Sequence, residues 1–575
     1  MTLTGGRIVA RALADEGIPF AFGIPGTHNI ELYDALAETP SVRIVLVTDE
    51  QSAPFAADAV WRASGKMACV NIVPGAGLTH AMSGIAEAFM DNIPMLVLGC
   101  GIRRDSGKAF QLHDVDQMAL AKPVTKAQLR PETGADLYPM VRRACAIARG
   151  GAPGPVFVEI PANLYLTAHD VDLTAAAKRR TATQEVMVLS ESSLKKAIQI
   201  LKSARMPLIY AGLGAAPAAD SLLELAERLG APVCTTFQGK GVFPESRGLA
   251  LWPGFGPASP PFVQEWVKNC DATLAVGCKF SEVATASYGF VLPRPFIHVD
   301  IDPTVIGRNY PADVAITADA AEVLPMLAKA VPARTRNQAI SRILTAGHEA
   351  VRREWEAQDG ELVSPWRLLH AMQERFGPET IYCTDSGNGT FLAMEMLRLD
   401  GAGKFLAPVD YSCMGYSVPA AIGAKLARPE CPVVALAGDG AFLMTGLELL
   451  TAAQLGVALA VFVLRDRELA QIAQFQSLAM NRKTASVLPD YDLTPLCAGL
   501  GVECLRLEGN AAIGEVLARV QEINGAGRPV VVDVAIDYSH KTFFTRGVVK
   551  TTLNRMPWPD RLRFISRAVG RRILG

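Results

Sequence analysis

The fold of this chain is decided by the stretch 433–466, which reads VVALAGDGAFLMTGLELLTAAQLGVALAVFVLRD. Its two short apolar runs, VVALA and AVFVL, predict buried strands, and Phe442–Leu455 between them predicts a helix. In a parallel sheet such a unit brings both strand ends to one edge, so Asp439 and Asp466 are expected to meet there. Carboxylates beside a Gly-rich turn and a helix N-terminus suit Mg²⁺ held against a diphosphate, whereas a Gly-Asp-Gly turn alone is also an ordinary turn.

The composition is that of a large enzyme. With 575 residues, the chain is too long for one core, and we expect two to four domains. The net charge of −1 gives no electrostatic case for a nucleic-acid partner. The 11 cysteines are scattered without a CxxC pair, which predicts a reduced, cytoplasmic, zinc-free protein. No signal peptide or membrane-spanning segment is expected from the N-terminal sequence or from the rest of the chain.

Strand-like apolar runs alternate with Ala/Leu-rich helical patterns in three successive blocks. We predict an α/β fold of three doubly wound parallel-sheet domains at 1–180, 190–345 and 355–540, followed by a C-terminal arm at 541–575. A polar stretch, Lys178–Gln184, predicts a linker. In the first two blocks the predicted strands are Phe20–Ile24, Val42–Val47, Ala68–Ile72, Met95–Gly99, Val156–Ile160, Pro207–Ala211, Val233–Phe237, Ala272–Val276 and Phe296–Ile301.

The arm ends in a basic amphipathic stretch. Aliphatic side chains fall on one helical face, with arginines elsewhere: Leu562, Ile565, Val569 and Ile573 against Arg563, Arg567 and Arg571. Such a helix docks on its own protein or a neighbouring subunit, which we favour, or lies on an anionic membrane.

Five further segments, in the same order along the chain, resemble the thiamine-diphosphate-dependent enzymes, and among them the acetolactate synthase-like family. The segments are PGAG at 74–77, AFMDNIP at 88–94, GPVFVEIP at 154–161, SGNG at 386–389 and YSCMGYSVPAAIG at 411–423. The resemblance covers about residues 5–540. It implies a pyrimidine-binding domain, a central nucleotide-binding-like domain and a diphosphate- and Mg²⁺-binding domain.

The resemblance also implies residues that hold the cofactor. The metal ligands would be Asp439, Asp466 and the backbone carbonyl of Glu468. Arg465 and Asp466 replace a paired Asn of the family, which leaves the metal affinity open. Met414 takes the place of the wedge beneath the bent cofactor. The remaining residues implied to bind the cofactor are Pro25, Gly387, Asn388, Gly389, Ser412, Gly438, Gly440 and Ala441.

Glu50 follows a predicted strand and precedes an Ala-rich helix, where the family has its activating glutamate. A carboxylate bonded to the aminopyrimidine ring favours the tautomer that removes the proton from thiazolium C2. We expect burial against the cofactor to shift the pKa of Glu50 until it shares a proton. Without the resemblance, an acid here would be read as a helix cap.

Two departures argue against acetolactate synthase itself. Val283 stands where the synthases place an Arg that grips the second 2-keto acid, which removes a strong bidentate contact and leaves Lys279 as a partial substitute. The synthase's QWQ is altered to QFQ at 474–476.

His28 lies in a loop that overhangs the reactive carbon in the family. It resembles benzaldehyde lyase and, through PGTHNIELY and ELAQIAQFQ, cyclohexane-1,2-dione hydrolase. We therefore expect hydrolytic C–C cleavage of a vicinal diketone such as cyclohexane-1,2-dione, with water oriented by His28 and by Gln111 or His80. Asn481 is expected in a lid that closes on substrate, with a solvated loop as the alternative.

Other interpretations stay open. The enzyme alternative is a carboligase or 2-keto acid decarboxylating enzyme, either acetolactate synthase-like or benzaldehyde lyase-like. The alternative of another class is a catalytically silent paralogue with an assembly role. FAD is bound across the middle domain of several relatives, and Tyr210–Gly214 begins a dinucleotide fingerprint that Pro217 interrupts, so either FAD or a domain that has lost it is expected. The family also implies an obligate homodimer, commonly doubled to a homotetramer.

Overall fold

The computed structural model describes residues 1–173, 189–335, 337–358 and 360–574. The predicted linker Lys178–Gln184 lies outside the described residues. Three six-stranded sheets follow one another along the chain, and the neighbouring strands within each are parallel. This confirms the predicted fold class.

The N-terminal and C-terminal sheets have the same topology. Counted from the first strand of each sheet, both have the order 2-1-3-4-6-5, whereas the central sheet has the order 3-2-1-4-5-6. The central order is that of dinucleotide-binding sheets. In every sheet the direction in which successive strands are added reverses beside strand 1. At such a switch point the strand ends leave a crevice for a ligand.

The N-terminal sheet contains Phe20–Gly23, Arg43–Leu46, Cys69–Ile72, Met95–Gly101, Ala127–Leu129 and Pro155–Pro161. Its helices are Gly5–Asp15, Ile30–Ala37, Ser52–Ser64, Ala76–Met90, Gln117–Ala121, Gly134–Arg149 and Ala162–Leu166. Two short strands, Thr2–Thr4 and Ala168–Asp170, pair separately and antiparallel.

The central sheet contains Pro207–Ala211, Val233–Thr235, Ala250–Pro253, Ala272–Val276, Phe296–Asp300 and Val314–Thr317. Its helices are Glu191–Ser203, Ala219–Leu229, Pro261–Lys268 and Ala320–Ala330, and the long helix Gln338–Glu356 leads to the next domain. The sequence interpretation had omitted three short edge strands: Ala127–Leu129 of the first sheet, and Ala250–Pro253 and Val314–Thr317 here.

The C-terminal sheet contains Ile381–Thr384, Phe405–Leu406, Val433–Gly438, Ala460–Arg465, Glu503–Leu507 and Val530–Ala535. Its helices are Pro365–Phe376, Asn388–Met396, Ser417–Ala427, Asp439–Thr445, Leu449–Leu455, Ala470–Met480, Leu493–Gly499 and Ile513–Gly525. The single helix predicted over Phe442–Leu455 was wrong, because a 3₁₀ turn at Gly446–Glu448 interrupts it. A Cβ on Gly446 would stand 2.7 Å from the Phe442 ring, so this turn needs glycine.

One helix pair joins the N-terminal and C-terminal domains. Ser52–Ser64 packs against Ser417–Ala427 so closely that a Cβ on Gly423 would stand 2.1 Å from the carbonyl oxygen of Ala56. The buried Arg62 guanidinium pairs with Asp58 and Asp91, each at 2.7 Å, beside this contact. The two sheets are therefore held in a fixed relation by packing that tolerates no added methyl group.

The C-terminal arm forms two helices, Phe543–Arg555 and Trp558–Leu574, that lie on its own chain. The first packs on the central domain, with the Phe544 ring 4.8 Å from that of Phe237. The second packs on Ala470–Met480. None of the described helices is both long and apolar enough to span a membrane.

Candidate active site

Glu50 lies at the carboxyl edge of the N-terminal sheet, directly before the helix Ser52–Ser64. Its side chain is only 13% exposed, and its Oε2 atom is 3.4 Å from Nδ1 of His80. His80 lies on the helix Ala76–Met90 with 62% of its side chain exposed, and it also approaches Asp49 at 3.8 Å. The structure thus brings Glu50 and His80 together, with Glu50 half-buried and the imidazole open to solvent.

The loop that carries Glu50 is fixed by a residue that the sequence interpretation missed. Glu448 is buried, and its Oε1 atom accepts hydrogen bonds from the backbone N–H and hydroxyl of Thr48 at 2.8 and 2.6 Å. The N–H of Asp49 donates to the same atom at 3.1 Å. Glu448 ends the 3₁₀ turn that breaks the predicted helix, so the break aims this carboxylate at the Glu50 loop.

His28 follows the first strand of the same sheet, in a loop that contacts neighbouring strand ends. Its carbonyl oxygen accepts a hydrogen bond from the thiol of Cys100 at 2.7 Å, and its Nδ1 atom is 3.2 Å from the Thr27 hydroxyl. Its ring faces that of His113, with centroids 5.6 Å apart. Burial, and secondly the charge of His113, lowers the pKa of His28. His113 was absent from the sequence interpretation, which had stopped at Gln111 in the same segment.

Gln111 and Asn481 are engaged elsewhere. The amide nitrogen of Gln111 donates to the carbonyl oxygens of Arg103 and Lys108, which closes its own loop. The Asn481 amide donates to the carbonyl oxygen of Arg571 in the C-terminal helix at 3.1 Å. The expected substrate roles of both residues stay predictions.

The carboxyl edge of the C-terminal sheet carries the acids. Asp439 begins the helix Asp439–Thr445, and its carboxylate accepts hydrogen bonds from the N–H groups of Gly440 and Arg467, each at 2.8 Å. Burial raises the pKa of Asp439. Burial, and then the negative charges of Asp439 and Glu468, raise the pKa of Asp466 to about 7. These acids are therefore close enough to disfavour one another's ionisation, as expected of a site that takes a cation.

Arg465 is turned towards groups other than Asp466. Its guanidinium pairs with Asp533 at 2.8 Å and Asp490 at 3.3 Å, and stacks over the Tyr491 ring. Glu468 instead pairs with Lys483. The substitution of Arg for the first family Asn is thus accommodated by partners on neighbouring loops.

Small residues and a buried acid shape the rest of this edge. Gly387 precedes the helix Asn388–Met396 with a φ of +131°, a conformation that other residues rarely adopt. Asp385, which the sequence interpretation missed, is buried and accepts hydrogen bonds from the N–H groups of Gly415 and Ser417 at 2.9 and 2.8 Å. It thereby joins the Gly387 turn to the loop that carries Met414.

The predicted cofactor residues converge on this edge. A Cβ on Gly440 would stand 2.5 Å from Leu469 and 3.5 Å from Cε of Met414, so Met414 borders the Gly-Asp-Gly turn. The hydroxyl groups of Ser412 and Ser386 are 2.8 Å apart. Gly438 and Ala441 flank Asp439 and Gly440 in sequence, and Asn388 and Gly389 open the helix after Gly387. Pro25, in the His28 loop, and Glu50 belong to the other edge.

A divalent cation and a diphosphate fit these residues. The acids that meet here, Asp439 and Asp466, offer hard oxygen ligands, and their mutual repulsion would be relieved by a positive ion. The Gly387 turn, where an added Cβ would meet no atom within 4 Å, leaves room for phosphate oxygens at the N-terminus of the helix Asn388–Met396. Glu50, with 13% of its side chain exposed, suits a hydrogen bond to a neutral ring nitrogen.

A separate cavity of about 530 Å³ lies beside the central sheet. Its lining includes Asp300 at a strand end, Lys279 and Gly214. The Lys279 ammonium group donates a hydrogen bond to the carbonyl oxygen of Met90. It is therefore already engaged at this cavity and does not offer its charge to a substrate carboxylate. Gly212 and Gly214 pack on the backbone of Gly277: a Cβ added to either would stand 2.0 or 2.8 Å from the nearest Gly277 atom. This close packing is sufficient to explain the two glycines of the predicted dinucleotide fingerprint.

Comparisons with known proteins agree with this geometry. Three family models match in succession: the thiamine pyrophosphate enzyme N-terminal TPP-binding domain over 3–120, the central domain over 194–327 and the C-terminal TPP-binding domain over 385–534. A probable acetolactate synthase large subunit of Methanocaldococcus jannaschii is 30% identical over 562 residues, covering 93% of this chain and 92% of that protein.

Two further relatives are similar over most of their length. The acetolactate synthase isozyme 3 large subunit of Escherichia coli is 28% identical, covering 94% of this chain and 96% of that protein. A probable 2-ketoarginine decarboxylase of Pseudomonas aeruginosa is 32% identical over 503 residues, covering 85% of this chain and 86% of that protein. These relatives do not support the expected special resemblance to cyclohexane-1,2-dione hydrolase. The three successive domains and the shared length place this chain in the acetolactate synthase-like family of thiamine-pyrophosphate-dependent enzymes.

Proposed function

We propose that this enzyme cleaves the bond beside the ketone carbonyl of a 2-oxo acid, with loss of CO₂, and passes the remaining acyl unit to a proton or to a second carbonyl. The proposal rests on the two sheet edges: one has the half-buried Glu50 beside His80, and the other has the buried Asp439 and the half-buried Asp466. The names of the relatives, acetolactate synthase and 2-ketoarginine decarboxylase, support 2-oxo acid chemistry.

Each edge has a distinct task in this proposal. When bound, thiamine diphosphate supplies a nucleophilic carbon. Glu50 would share a proton with a pyrimidine nitrogen of the cofactor, and His80 would connect that proton to solvent because its imidazole is exposed. Asp439, Asp466 and the carbonyl of Glu468 would hold Mg²⁺, and the turn at Gly387, where an added Cβ would meet no atom within 4 Å, would leave room for the diphosphate.

The acceptor side favours decarboxylation over ligation to a second keto acid. Val283 packs with the hydrophobic core and offers no cation, and Lys279 is held by the Met90 carbonyl oxygen. A second carboxylate would therefore lack the charge-assisted hydrogen bonds that hold such groups.

The reaction is tested by incubating the enzyme, with Mg²⁺ and thiamine diphosphate, separately with pyruvate, 2-ketoarginine and cyclohexane-1,2-dione. We expect CO₂ and an aldehyde from one of the oxo acids, with acetolactate as a minor product. Failure to bind thiamine diphosphate at millimolar concentration in calorimetry would exclude any cofactor-dependent reaction and favour an assembly role.

A second candidate is hydrolysis of a vicinal diketone. It is favoured by the imidazoles of His28 and His80 at the N-terminal edge, because two proton-handling groups suit the addition of water to a carbonyl. Ring-opened acid as the efficient product from cyclohexane-1,2-dione would select this candidate over the first.

We also propose a homodimer, commonly doubled to a tetramer. Support comes from large apolar side chains left exposed around the helix break at the site: Leu46, Leu443, Met444, Leu447 and Leu450. A second copy of the chain would cover this surface. Sedimentation at micromolar concentration tests it, and a monomer there would contradict it.

FAD remains a proposal for the central cavity. Its support is the strand order of the central sheet and the position of Asp300 at a strand end, where acids contact ribose hydroxyls. The absorbance of the purified protein near 450 nm, after extraction under denaturing conditions, decides whether a flavin is carried.

A further inference from the structure

We propose that His113 is a second imidazole of the reaction centre, and that with His28 it holds two adjacent oxygens of the substrate. The substrate class is then a ketone whose neighbouring carbon is itself a second carbonyl carbon or a carboxylate carbon. The inference rests on the proposed function for the location of the reacting carbon, but the pairing of the two rings can be tested without it.

The two rings reach the same space. They meet edge to face, with centroids 5.6 Å apart and an interplanar angle of 74°. The Thr27 hydroxyl lies 3.2 Å from Nδ1 of His28, which leaves Nε2 of that ring free to face a ligand. Both imidazoles are partly exposed, so a small planar group can enter between them and solvent.

The loop that holds His113 contains strained backbone. The φ values of His113, +66°, and Phe110, +57°, lie in the left-handed region, which is uncommon for residues other than glycine and an outlier for a bulky residue such as Phe110. Gly75 has a φ of +61°, and a Cβ added to it would stand 3.1 Å from the carbonyl oxygen of His113, which is a tight contact. Strained backbone of this kind persists where the surroundings fix it, and it clusters at functional sites.

A buried amide fastens the same loop to the sheet edge. Gln117 accepts a hydrogen bond from the N–H of Gly75 at 3.1 Å and donates to the carbonyl oxygen of Cys100 at 3.0 Å. Cys100 in turn donates its thiol hydrogen to the carbonyl oxygen of His28. One chain of contacts therefore positions His113 and His28 together, with Gly75 two residues from Gly77, which borders Glu50.

The electrostatics suit a neutral imidazole at His28. Burial, and secondly the charge of His113, lowers the pKa of His28. Each neutral imidazole offers one N–H donor and one acceptor nitrogen. Two such rings can donate to two neighbouring oxygens, or one can donate while the other accepts.

The pair serves the first substrate, and not the second keto acid that the acceptor side at Val283 and Lys279 would have to hold. One imidazole of the pair holds the oxygen next to the reacting carbonyl. In the case of a dicarbonyl, an O–H bond of water breaks and its proton passes to the acceptor nitrogen of one ring. The water oxygen bonds to the carbonyl carbon, and the negative charge formed on the carbonyl oxygen meets the N–H of the other ring.

The test uses His113→Asn, because asparagine tolerates the left-handed backbone that position 113 requires. The matched control is His370→Asn, an exposed histidine that stacks on Trp366 in the C-terminal domain. Full-length protein is labelled with ¹⁵N-histidine, and the His28 signal is assigned by its loss in His28→Asn. Its titration is then followed without cofactor, and steady-state kinetics with Mg²⁺ and thiamine diphosphate follow on the best substrate.

We expect the His28 titration midpoint to rise in His113→Asn and to stay unchanged in His370→Asn. We also expect kcat/KM to fall about 100-fold in His113→Asn, the lower end of the range for a lost acid–base group, while calorimetry gives unchanged binding of thiamine diphosphate. An unchanged His28 titration overturns the pairing. A shifted titration with unchanged kcat/KM overturns the role in holding substrate. If the wild-type protein binds no cofactor, the proposed function fails, and the titration still decides the pairing.

Discussion

The N-terminal and C-terminal sheets share one strand order, yet their carboxyl edges carry opposite chemistry. The first edge presents imidazoles that are partly open to solvent, with the half-buried Glu50 beside them. The second presents acids, Asp439 and Asp466, whose pKa values are raised by burial. The topology therefore fixes where a site lies, and the loops after each strand decide what it does.

The contrast follows from what each task requires. A group that exchanges protons during turnover must reach water or substrate, which fits the exposed ring of His80. A group that holds a divalent ion works best as a desolvated hard oxygen. The central sheet has a different strand order, and a cavity lies beside it where the other two sheets have their imidazoles or acids.

The sharpest way to break the comparison is Glu50→Gln. If the N-terminal edge handles protons, turnover should fall by roughly 10²- to 10⁴-fold, because a general acid–base group is lost while its shape is kept. Steady-state kinetics with saturating cofactor measure the effect. Asp49→Asn, one position earlier, serves as the control and should lose far less. Turnover equal to wild type in Glu50→Gln would remove the N-terminal edge from the chemistry.

The next largest effect is expected at the other edge. Asp439→Asn removes a charge that a metal would need, and it leaves one acceptor oxygen where the carboxylate uses two, one for the N–H of Gly440 and the other for the N–H of Arg467. We expect the Mg²⁺-dependent affinity for thiamine diphosphate to fall by roughly 100-fold. This is the upper end of the loss seen when a residue that only contacts a metal ligand is replaced. Calorimetry at several Mg²⁺ concentrations checks this, with the exposed Glu515→Gln of the same domain as control. Equal affinities would mean that these acids serve the fold and not a metal.

Much of this layout can be predicted from the sequence. Long apolar runs such as Val433–Gly438 identify the central strands, and the acids that follow them identify the edge. Short edge strands such as Ala127–Leu129 escape because three residues carry no periodic signal. His113, Glu448 and Asp385 escape for a different reason: each acts through a contact with a loop far away in sequence, which local pattern does not contain.

A third prediction concerns the seam between the two edges. Glu87 is buried on the helix Ala76–Met90, and its Oε2 atom accepts a hydrogen bond from the N–H of Cys413 at 2.9 Å. Burial, and then the charge of Asp91, raises the pKa of Glu87 to about 9. The folded protein thus keeps a proton that the unfolded chain loses above its ordinary pKa near 4.5, so this residue costs stability increasingly as pH rises towards 9.

Glu87→Gln should remove that cost. The variant should melt roughly a few degrees above wild type at pH 8 to 9, with the difference shrinking towards pH 5. Thermal unfolding across this pH range measures it, and Glu515→Gln should follow the wild type throughout. If the melting temperatures of Glu87→Gln and wild type differ by the same amount at every pH, packing and not the ionisation of Glu87 accounts for the change in stability.

The smallest effect is expected from Lys483→Met, which tests whether the C-terminal edge is tuned as a cation site. Lys483 pairs with Glu468, and both side chains are partly exposed, 42% and 22%, so the pair is worth little in stability. Removing its positive charge should strengthen Mg²⁺ binding by up to about fivefold, since an exposed pair contributes at most about 1 kcal/mol. The Glu468 backbone should stay in place, because Leu469 and Leu488 hydrogen-bond to Ser486 and Arg467 across the same turn. Lys195→Met, which breaks a more exposed pair with Glu191 in the central domain, is the control and should change nothing. Weaker Mg²⁺ binding in Lys483→Met would mean that this lysine orders the metal loop. The C-terminal edge would then depend on a solvent-exposed side chain, Lys483, as the N-terminal edge depends on His80.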